Sequence, residues 1–571
     1  MIKKYTKAQT DMQFLDRMHQ RSLVRIATSL ILLMAISYTY GQQEEVRVVK
    51  PYTPTLSGAE KIQLLPRIED SVSYEQPAFE YSIFSKRYET DYRVMPIKPA
   101  RMIKPSLDRL YKSELKLGGG NYLTPLAKLR INQLRSSKGT FGVLLGHHSM
   151  NGDVRLDNDQ KVEGGFNENE FSLYGKRFQR RTVFEYEAGA SYNSYVHYGV
   201  DTVFADTVNR ENFSHPFFNG HAAIGLYSAR PDSFHLDYKA TLKYDFFTHE
   251  FNQMEHGAEL DGRISGIVKD FRIGGDVGLR FLNHPGVWDT LFANQFMIKL
   301  NPYLSKTSDD WSFRVGINTY TEIRDGLVKP RFYVKGNFSF NIVDEVLVPY
   351  MGVDGYQKSF SYRDLTGINP YIVPGLSVTP ANHRIYAYLG LKGKITNYLA
   401  WNVRGSYRAV DDQHFFVTDT SNELNNQFTV IYDDYTALNL HAELNIAPTA
   451  SLRVFLKGNY FNYQMSRVEY PWYKSDFDVS LQARYNLGDK ILADAGLFMV
   501  GPRYYPGKDP AETSPGKINT TIDLNLGLEY RYTRLISFWA KFNNMTAQPY
   551  YMWDNYPSYR FRVMLGFTYG L

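Results

Sequence analysis

The sequence predicts an all-β protein: a transmembrane, antiparallel outer-membrane β-barrel of about 22 strands, with short periplasmic turns and long extracellular loops. Three observations predict it: segments of alternating polarity, connections that alternate in length, and an N-terminal secretion signal. The segment 234–246, FHLDYKATLKYDF, has apolar or aromatic residues at every second position and polar residues between them. A strand with one apolar and one charged face, about twice as long as the usual strand of a soluble protein, is typical of a barrel wall in lipid.

Residues 1–41 are predicted to be a signal peptide. Basic residues precede 26–37, IATSLILLMAIS, and this apolar run is too short to span a membrane as a helix. Gly41 indicates cleavage before Gln42. The alternative is a membrane anchor, which the length of the run disfavours. We therefore divide the chain into a signal peptide (1–41), a Pro-rich segment that is periplasmic or threads the lumen (42–110), and the barrel (111–571).

Composition excludes several classes of function. The chain has no cysteine, so it has no disulfide, no thiolate metal site, no cysteine nucleophile and no lipid-anchored N-terminal cysteine. Residues 1–41 hold six of the basic and two of the acidic residues, which leaves 59 basic and 57 acidic residues, a net charge of +2. Charge therefore gives no reason to expect nucleic-acid binding.

The alternation of the first segment recurs at 399–407, 438–446, 477–487 and 522–530. Short turns separate many such strands: RSSKG, QRR, ARPDS, VKD, KTSDD, VDE, ITN, APTA, GDK and YTR. These ten turns join about twenty strands, and a strand at each end of the barrel completes the set. Residues 414–434 also have strand character, and we expect them to form a hairpin that projects from a long loop. A soluble sandwich or propeller would have shorter strands and no regular alternation of turn length.

The two faces of each strand predict two environments. Lipid is expected against Phe234, Leu236 and Leu242, and water or a plugging segment behind Asp237, Lys239 and Lys243. A lumen of this width needs closing. We expect part of 42–110 to lie inside the barrel and pair its charges with inward ones, the alternative being closure by a partner or by the long loops.

The last strand carries a predicted assembly signal. In RFRVMLGFTYGL, residues 560–571, the positions of Gly566, Tyr569 and Leu571 resemble the C-terminal signal that the barrel-assembly machinery of outer membranes reads. Met564 stands where that signal is usually polar, and Leu571 where it often has Phe. The expected partners are therefore this machinery during insertion and outer-membrane lipid afterwards.

The closing segment also resembles TonB-dependent receptors. The matching features are Asn543 and Asn544 at a strand end, the aromatic run 550–556, then Arg560 and a last strand with Gly566. Residues 42–59, with VVKPYTPTLS, look like the start of plugless TonB-receptor-like barrels of Bacteroidota. The resemblance implies a 22-stranded barrel in the Gram-negative outer membrane with a porin-like or receptor-like transport function. Receptors of this family carry a plug domain longer than 42–110, so the resemblance does not extend to a full plug.

No catalytic, cofactor or metal site is predicted, and we expect the chain not to be an enzyme. His147 and His148 are adjacent on a strand and point to opposite faces, which makes them poor co-ligands. Ser149 and Asp153 lie near His148, but in one short stretch without an oxyanion partner, so a loop is favoured over a catalytic triad. No helix follows Gly118 to Gly120, which favours a tight turn over a phosphate-binding loop.

The N-terminal segment offers one partner site. A periplasmic TonB-like protein could add a strand to Glu44, Glu45, Val46, Val48 and Val49, although a disordered N-terminus explains the same residues. Two functions remain: a barrel related to TonB-dependent receptors that contributes to transport across the outer membrane, or a non-transporting subunit of an assembly, export or lipoprotein-display complex. An outer-membrane enzyme is a third class, for which no catalytic set was found.

Overall fold

The computed structural model describes residues 112–570, apart from 134–135, 157, 230–235, 251–252, 285–293, 325, 344 and 508–513. The signal peptide, the segment 42–110 with its partner site, and Leu571 lie outside the described residues. In the described part of the chain, two α-helices, α1 (Arg210–Phe213) and α2 (Tyr362–Ile368), and a 3-10 helix (Thr202–Thr207) accompany the β-strands. Within the described residues, no helix is long and apolar enough to cross a membrane.

The strands, in chain order, are β1 (Ser113–Gly120), β2 (Leu126–Asn132), β3 (Gly139–Met150), β4 (Asp153–Arg155), β5 (Lys161–Glu163), β6 (Phe166–Phe178), β7 (Thr182–Val196), β8 (Ser214–Ser228), β9 (Asp237–His249), β10 (Met254–Val268), β11 (Phe271–Asn283), β12 (Gln295–Thr307), β13 (Trp311–Arg324), β14 (Leu327–Phe340), β15 (Val348–Lys358), β16 (Ala381–Thr396), β17 (Leu399–Thr418), β18 (Phe428–Ile446), β19 (Leu452–Met465), β20 (Phe477–Leu487), β21 (Ile491–Val500), β22 (Arg503–Tyr505), β23 (Gly516–Ile518), β24 (Thr521–Arg531), β25 (Ile536–Asn543), β26 (Tyr551–Trp553), β27 (Tyr556–Pro557) and β28 (Arg562–Gly570).

Twenty-two of these strands form one closed antiparallel sheet. Strand β1 pairs with β2 on one side and with β28 on the other, so the first and last strands close the barrel. The pairs β4–β5, β22–β23 and β26–β27 form small separate hairpins in the connections. Because closure leaves no edge, the backbone of the wall is satisfied within the sheet, as hydrocarbon requires. The predicted fold class and strand number are confirmed.

The ten predicted short turns all lie at one end of the barrel, between β2 and β3, β6 and β7, and so on to β24 and β25. By the usual asymmetry of such barrels, this is the periplasmic end. The opposite, extracellular end is less regular than predicted, because 121–125, 250–253 and 325–326 are short connections there. Long loops are therefore typical of this end but not universal.

The segment 414–434 does not form a separate hairpin, and this prediction is wrong. Its two halves are direct continuations of the barrel strands β17 and β18, which remain paired from Leu399 and Ile446 to Thr418 and Phe428. A β-bulge between Val410 and Gln413 interrupts the register, and Asp412 has a positive φ of 54°. The bulge breaks the alternation that marks a continuous strand, which is why the sequence suggests two elements.

The outer face is an apolar belt. Ile224, Leu242 and Leu260 are directly paired across β8, β9 and β10, and they are 48%, 46% and 39% exposed. Leu236 is 53% exposed just before β9, whereas Phe234 lies outside the described residues. Exposed apolar side chains that continue from strand to strand mark a surface meant for lipid.

The closing seam is covered on its inner side by one aromatic ring. Trp539 of β25 is paired with Gly566 of β28, which is in turn paired with Gly118 of β1. A Cβ atom on either glycine would overlap the Trp539 ring, so both positions need the absence of a side chain. Gly118 to Gly120 thus belong to β1, and the predicted tight turn at these glycines is wrong: Gly118 allows close packing against Trp539, and Gly120 allows close packing against Met564.

Candidate functional site

The extracellular connections fold together into a compact cap. Their apolar side chains form a buried core with side chains from the upper ends of several strands. The core comprises Val154, Leu156, Val162, Val196, Tyr198, Val200, Ala205, Val208, Phe217, Phe247, Tyr362, Leu365, Ile372, Leu376, Phe416, Phe428, Trp553 and Tyr556. Loops that contribute to a shared core are held in place by its burial rather than by their own sequence.

The cap joins opposite sides of the barrel. Strand β7 is the fifth barrel strand and β17 the fifteenth, so the connections that follow them start nearly across the lumen from each other. Nevertheless Asn426, after β17, donates its side-chain amide to the carbonyl of His197, after β7, at 3.0 Å. The Tyr556 hydroxyl, from the last extracellular connection, donates to the Asn426 carbonyl at 2.6 Å. Since these loops meet, the cap spans the mouth of the barrel.

The helix α2 fastens the cap to the wall. Ser361 and Asp364 form a capping box at its start, and Arg280 of β11 pairs with Asp364 at 3.1 Å. The Tyr362 N–H donates to the Glu255 carboxylate of β10 at 2.7 Å. Arg363 forms an ion pair with Asp245 of β9. Half-buried, charge-assisted contacts of this kind are stronger than pairs on an open surface.

A cavity of about 590 Å³ lies beneath α2 on the lumen side. Its walls include Glu259, Asp261 and Lys299 from the barrel and Arg363 and Ile368 from the helix. Lys299 and Asp261 are 3.6 Å apart and form one of several ion pairs along the lumen wall. The size suits a small molecule, and the mixed charges make the lining polar.

His197 is a deeply buried polar residue of the cap. Its ring centroid lies 4.0 Å from that of His215 and 5.3 Å from that of Tyr371. Burial lowers the pKa of His197 well below its ordinary value, and the neighbouring His215 and His249 lower it further. The imidazole is therefore neutral in the closed cap at neutral pH.

The predicted assembly residues occupy two faces of the last strand. Gly566 faces the lumen under Trp539, and Tyr569 is paired with Leu115 and Ile536 on the lipid side near the periplasmic end. Their role in insertion stays a prediction. The structure explains Gly566 by its packing under Trp539.

His147 and His148 lie on opposite faces of β3, as predicted. His148 is 3.9 Å from Glu168 on the lumen side. On the lipid side, His147 lies 3.3 Å from the Ser149 hydroxyl and 2.9 Å from Oδ1 of Asn169. Ser149 is only 3% exposed and does not line the cavity that His147 lines, so these contacts satisfy polar groups at the end of the strand. Within the described residues, no cluster of His, Asp or Glu could hold a metal ion.

The cap is the feature that sequence reasoning missed. Its one local signal in the sequence is that apolar and polar residues stop alternating where β17 extends beyond the membrane. Phe415 and Phe416 are adjacent there, and both are buried. Adjacent buried residues require protein on both faces of a strand, which lipid on one side and water on the other do not provide.

No protein-family model matches the sequence, and no curated protein matches it. Its fold, however, is that of several solved outer-membrane receptors. The copper transporter OprC matches with a TM-score of 0.61 at 12% identity over 81% of each chain. The siderophore receptor PirA from Acinetobacter baumannii matches with a TM-score of 0.62 at 8% identity over 80% of each chain. The ferric-catecholate import receptor Fiu from E. coli K12 matches with a TM-score of 0.59 at 10% identity, over 81% of this chain and 82% of that one. The chain thus has the 22-stranded barrel fold of TonB-dependent receptors.

Proposed function

We propose that the chain is an outer-membrane transport barrel of the TonB-dependent-receptor type, and that its extracellular cap is the gate. The observation that supports this proposal is that loops from opposite sides of the barrel meet above a polar lumen that contains a cavity. The similar folds belong to proteins named as transporters and receptors, which agrees with a transport rather than an enzymatic function. A polar lumen under a closed cap needs an opening step before a solute can enter.

Several finer features belong to the same proposal. The chain is of the Bacteroidota type and lacks a full plug domain, and part of 42–110 lies in the lumen instead. A periplasmic TonB-like protein binds Glu44, Glu45, Val46, Val48 and Val49 by strand addition and supplies the work of opening. The resemblance of 42–59 and the proline content of 42–110 support these features.

The experiment locks the cap. Ile372, in the loop after α2, and Phe428, the first residue of β18, form a parallel bridge within the cap, so cysteines at both positions are close enough for a disulfide. The chain has no cysteine of its own, which makes the pair unambiguous. A strain lacking the protein is complemented with the wild type, the double variant or each single variant, and solutes taken from the medium are compared.

We expect some solutes to be taken up by the strain complemented with the wild type and not by the strain that lacks the protein. Their uptake should stop when the double variant is oxidised and return on reduction, while the single variants ignore the oxidant. Equal uptake by the oxidised and reduced double variant would contradict a gate at the cap.

A second function, a non-transporting subunit of an assembly, export or lipoprotein-display complex, is favoured by the tightness of the cap. Tyr371 and Tyr556 stack at 3.7 Å between ring centroids, and Phe428 and Tyr362 are fully buried. A permanently closed mouth would leave the outer surface of the cap as the functional face. In that case no solute depends on the protein, and cross-linking in intact cells should instead recover a constant lipoprotein or barrel partner.

A further inference from the structure

Three cations surround a second aromatic cluster on the lumen side of the cap. This cluster contains Phe360, Ala381, Val410, Phe415, Tyr435 and Ala437, with Tyr463 and Trp472 packed against it. The Lys358 Nζ atom lies 4.6 Å from the centre of the Phe360 ring, and the Lys474 Nζ atom lies 5.6 Å from that of Phe415. The Arg408 guanidinium carbon lies 5.1 Å from the centre of the Tyr386 ring.

The three side chains come from separate elements. Lys358 ends β15, Arg408 lies on the inner face of β17, and Lys474 belongs to the connection between β19 and β20. Arg408 is paired with Tyr386 on one side and with Ala437 on the other, and Ala437 with Tyr463. The cations are therefore brought together by the barrel wall and a cap loop, not by a run of basic sequence.

None of the three has an acidic partner in the described part of the chain: no carboxylate oxygen lies within 4.0 Å of any of them. Other cations of the same wall do have partners, such as Arg384 with Asp411 at 2.8 Å and Lys335 with Asp354 at 3.7 Å. The aromatic rings provide only part of the compensation that a carboxylate would give.

Repulsion among the three cations acts on the pKa of Lys474. Burial lowers the pKa of Lys474, and the nearby Arg408 and Lys358 lower it further. Two histidine rings also border the group: His414, whose ring lies 4.5 Å from that of Phe360, and His383, stacked on Tyr356 at 4.3 Å. A bound anion would relieve this repulsion and compensate the partly desolvated Lys474.

We propose that Lys358, Arg408 and Lys474 form a binding site for an anionic group, a phosphate or a carboxylate, carried by a molecule with an apolar or aromatic body. Arg408 offers the planar donor pair that grips two oxygens, and the lysines act as point charges. The rings of Phe360, Phe415 and Tyr386 face the body of the ligand. Lys358 and Phe360 also line the cavity of about 590 Å³, which gives that body room.

This site adds the class of solute to the proposed transport function. Binding at the site does not depend on that function, whereas transport of the bound solute does. Binding is measured on the full mature chain in detergent, by calorimetry and by the change in tryptophan fluorescence, to which Trp472, packed against the aromatic cluster, contributes. Inorganic phosphate and benzoate are the two probes, and they separate a phosphate from a carboxylate source. The variants are Arg408→Gln and Lys474→Gln, and the matched control is Lys243→Gln, another lumen cation on the distant strand β9.

We expect at least one probe to bind the wild type and the control equally, and both site variants about tenfold or more weakly. Binding to the wild type should weaken as pH rises through the lowered pKa of Lys474, earlier than for an ordinary lysine, and Lys474→Arg should remove that dependence. Heat-modifiability on gels establishes that each variant is folded. Lys474 lies in a loop, so if Arg408→Gln does not fold, the Lys474 variants alone test the anion site.

Two results would overturn the site: no binding of either probe to the wild type at millimolar concentration, or equal binding by the wild type and Lys474→Gln. Neither result depends on the cap-locking experiment. Binding without transport would support the anion site and reject the transport function. Transport without binding would support the transport function and reject the anion site.

Discussion

The apolar belt can be tested at a single pair of adjacent residues. Leu242 points to lipid and Lys243 to the lumen, where it is paired with Glu259 across the strands. Leu242→Arg places a charge in hydrocarbon, and Lys243→Leu removes a charge from a wet wall. The two changes are adjacent in sequence and opposite in environment, so each is the control for the other.

The depth of Leu242 sets the magnitude. Strand β9 has 13 residues. With a rise of ~3.3 Å per residue and a tilt of ~40°, each residue advances ~2.5 Å along the membrane normal. Leu242 is the sixth residue, about 13 Å from the start of the strand, which is near the middle of an apolar band ~25 Å tall. An arginine there should cost about 2–4 kcal/mol, and Lys243→Leu should change stability by no more than about 0.5 kcal/mol.

The assay is reversible urea unfolding in phospholipid vesicles, followed by tryptophan fluorescence and by the heat-dependent shift on gels. A loss of about 2–4 kcal/mol in Leu242→Arg, with Lys243→Leu near the wild type, is the expected result. Equal effects of the two changes would refute the assignment of the faces, and with it the membrane position of the barrel.

Four further predictions concern the closing strands, the effect of acid and the N-terminal segment. Deleting Tyr569 to Leu571 should leave the chain in the periplasm, and normal outer-membrane levels of the deletion variant would contradict the role of the last strand in closing the barrel. Trp539→Ala should lower the free energy of unfolding in urea by about 3–5 kcal/mol, and unchanged stability would contradict the packing of Trp539 over the closing strands. Opening the cap restores the ordinary pKa of His197, so the open state binds more protons and the closed cap should lose stability as pH falls below about 6.5. Proteolysis of the cap should therefore rise with acid in the wild type and rise less steeply in His197→Phe, in which the buried His249 still has a lowered pKa; equal profiles would reject the role of His197. In a variant whose cap is opened, a chain that starts at Leu110 should give a higher bilayer conductance than the full mature chain. Equal conductance of the two chains would mean that 42–110 does not lie in the lumen.

The wall of the barrel could be predicted because its forces are local and periodic. Leu438 and Leu440 point to lipid while Asn439 and His441 are buried on the inner side, as strict alternation requires. The ten short turns follow from the same logic, since each lies where an alternating run ends. Gly566 was singled out for its position, but its packing under Trp539 follows only from the register of three strands.

The cap could not be predicted because its contacts are distant in sequence and follow no period. The pair His197 and Asn426 is separated by 229 positions, and neither residue has a local pattern that names its partner. The continuation of β17 beyond the membrane was missed for a related reason: the bulge at Asp412 shifts the pattern, and Phe415 and Phe416 are buried on opposite faces by two different clusters.

The central claim is that the extracellular loops themselves close the mouth of this barrel. It is tested most directly by conductance in planar bilayers, on chains that start at Leu110 so that 42–110 cannot close the lumen. The wild-type cap is compared with Tyr371→Ala/Tyr556→Ala, which removes the stacked pair at its centre, and with Tyr470→Ala, which removes an aromatic ring outside the buried core. We predict that the wild type and Tyr470→Ala conduct little and that the double variant conducts as an open pore. An open-pore conductance already in the wild-type cap would contradict the account.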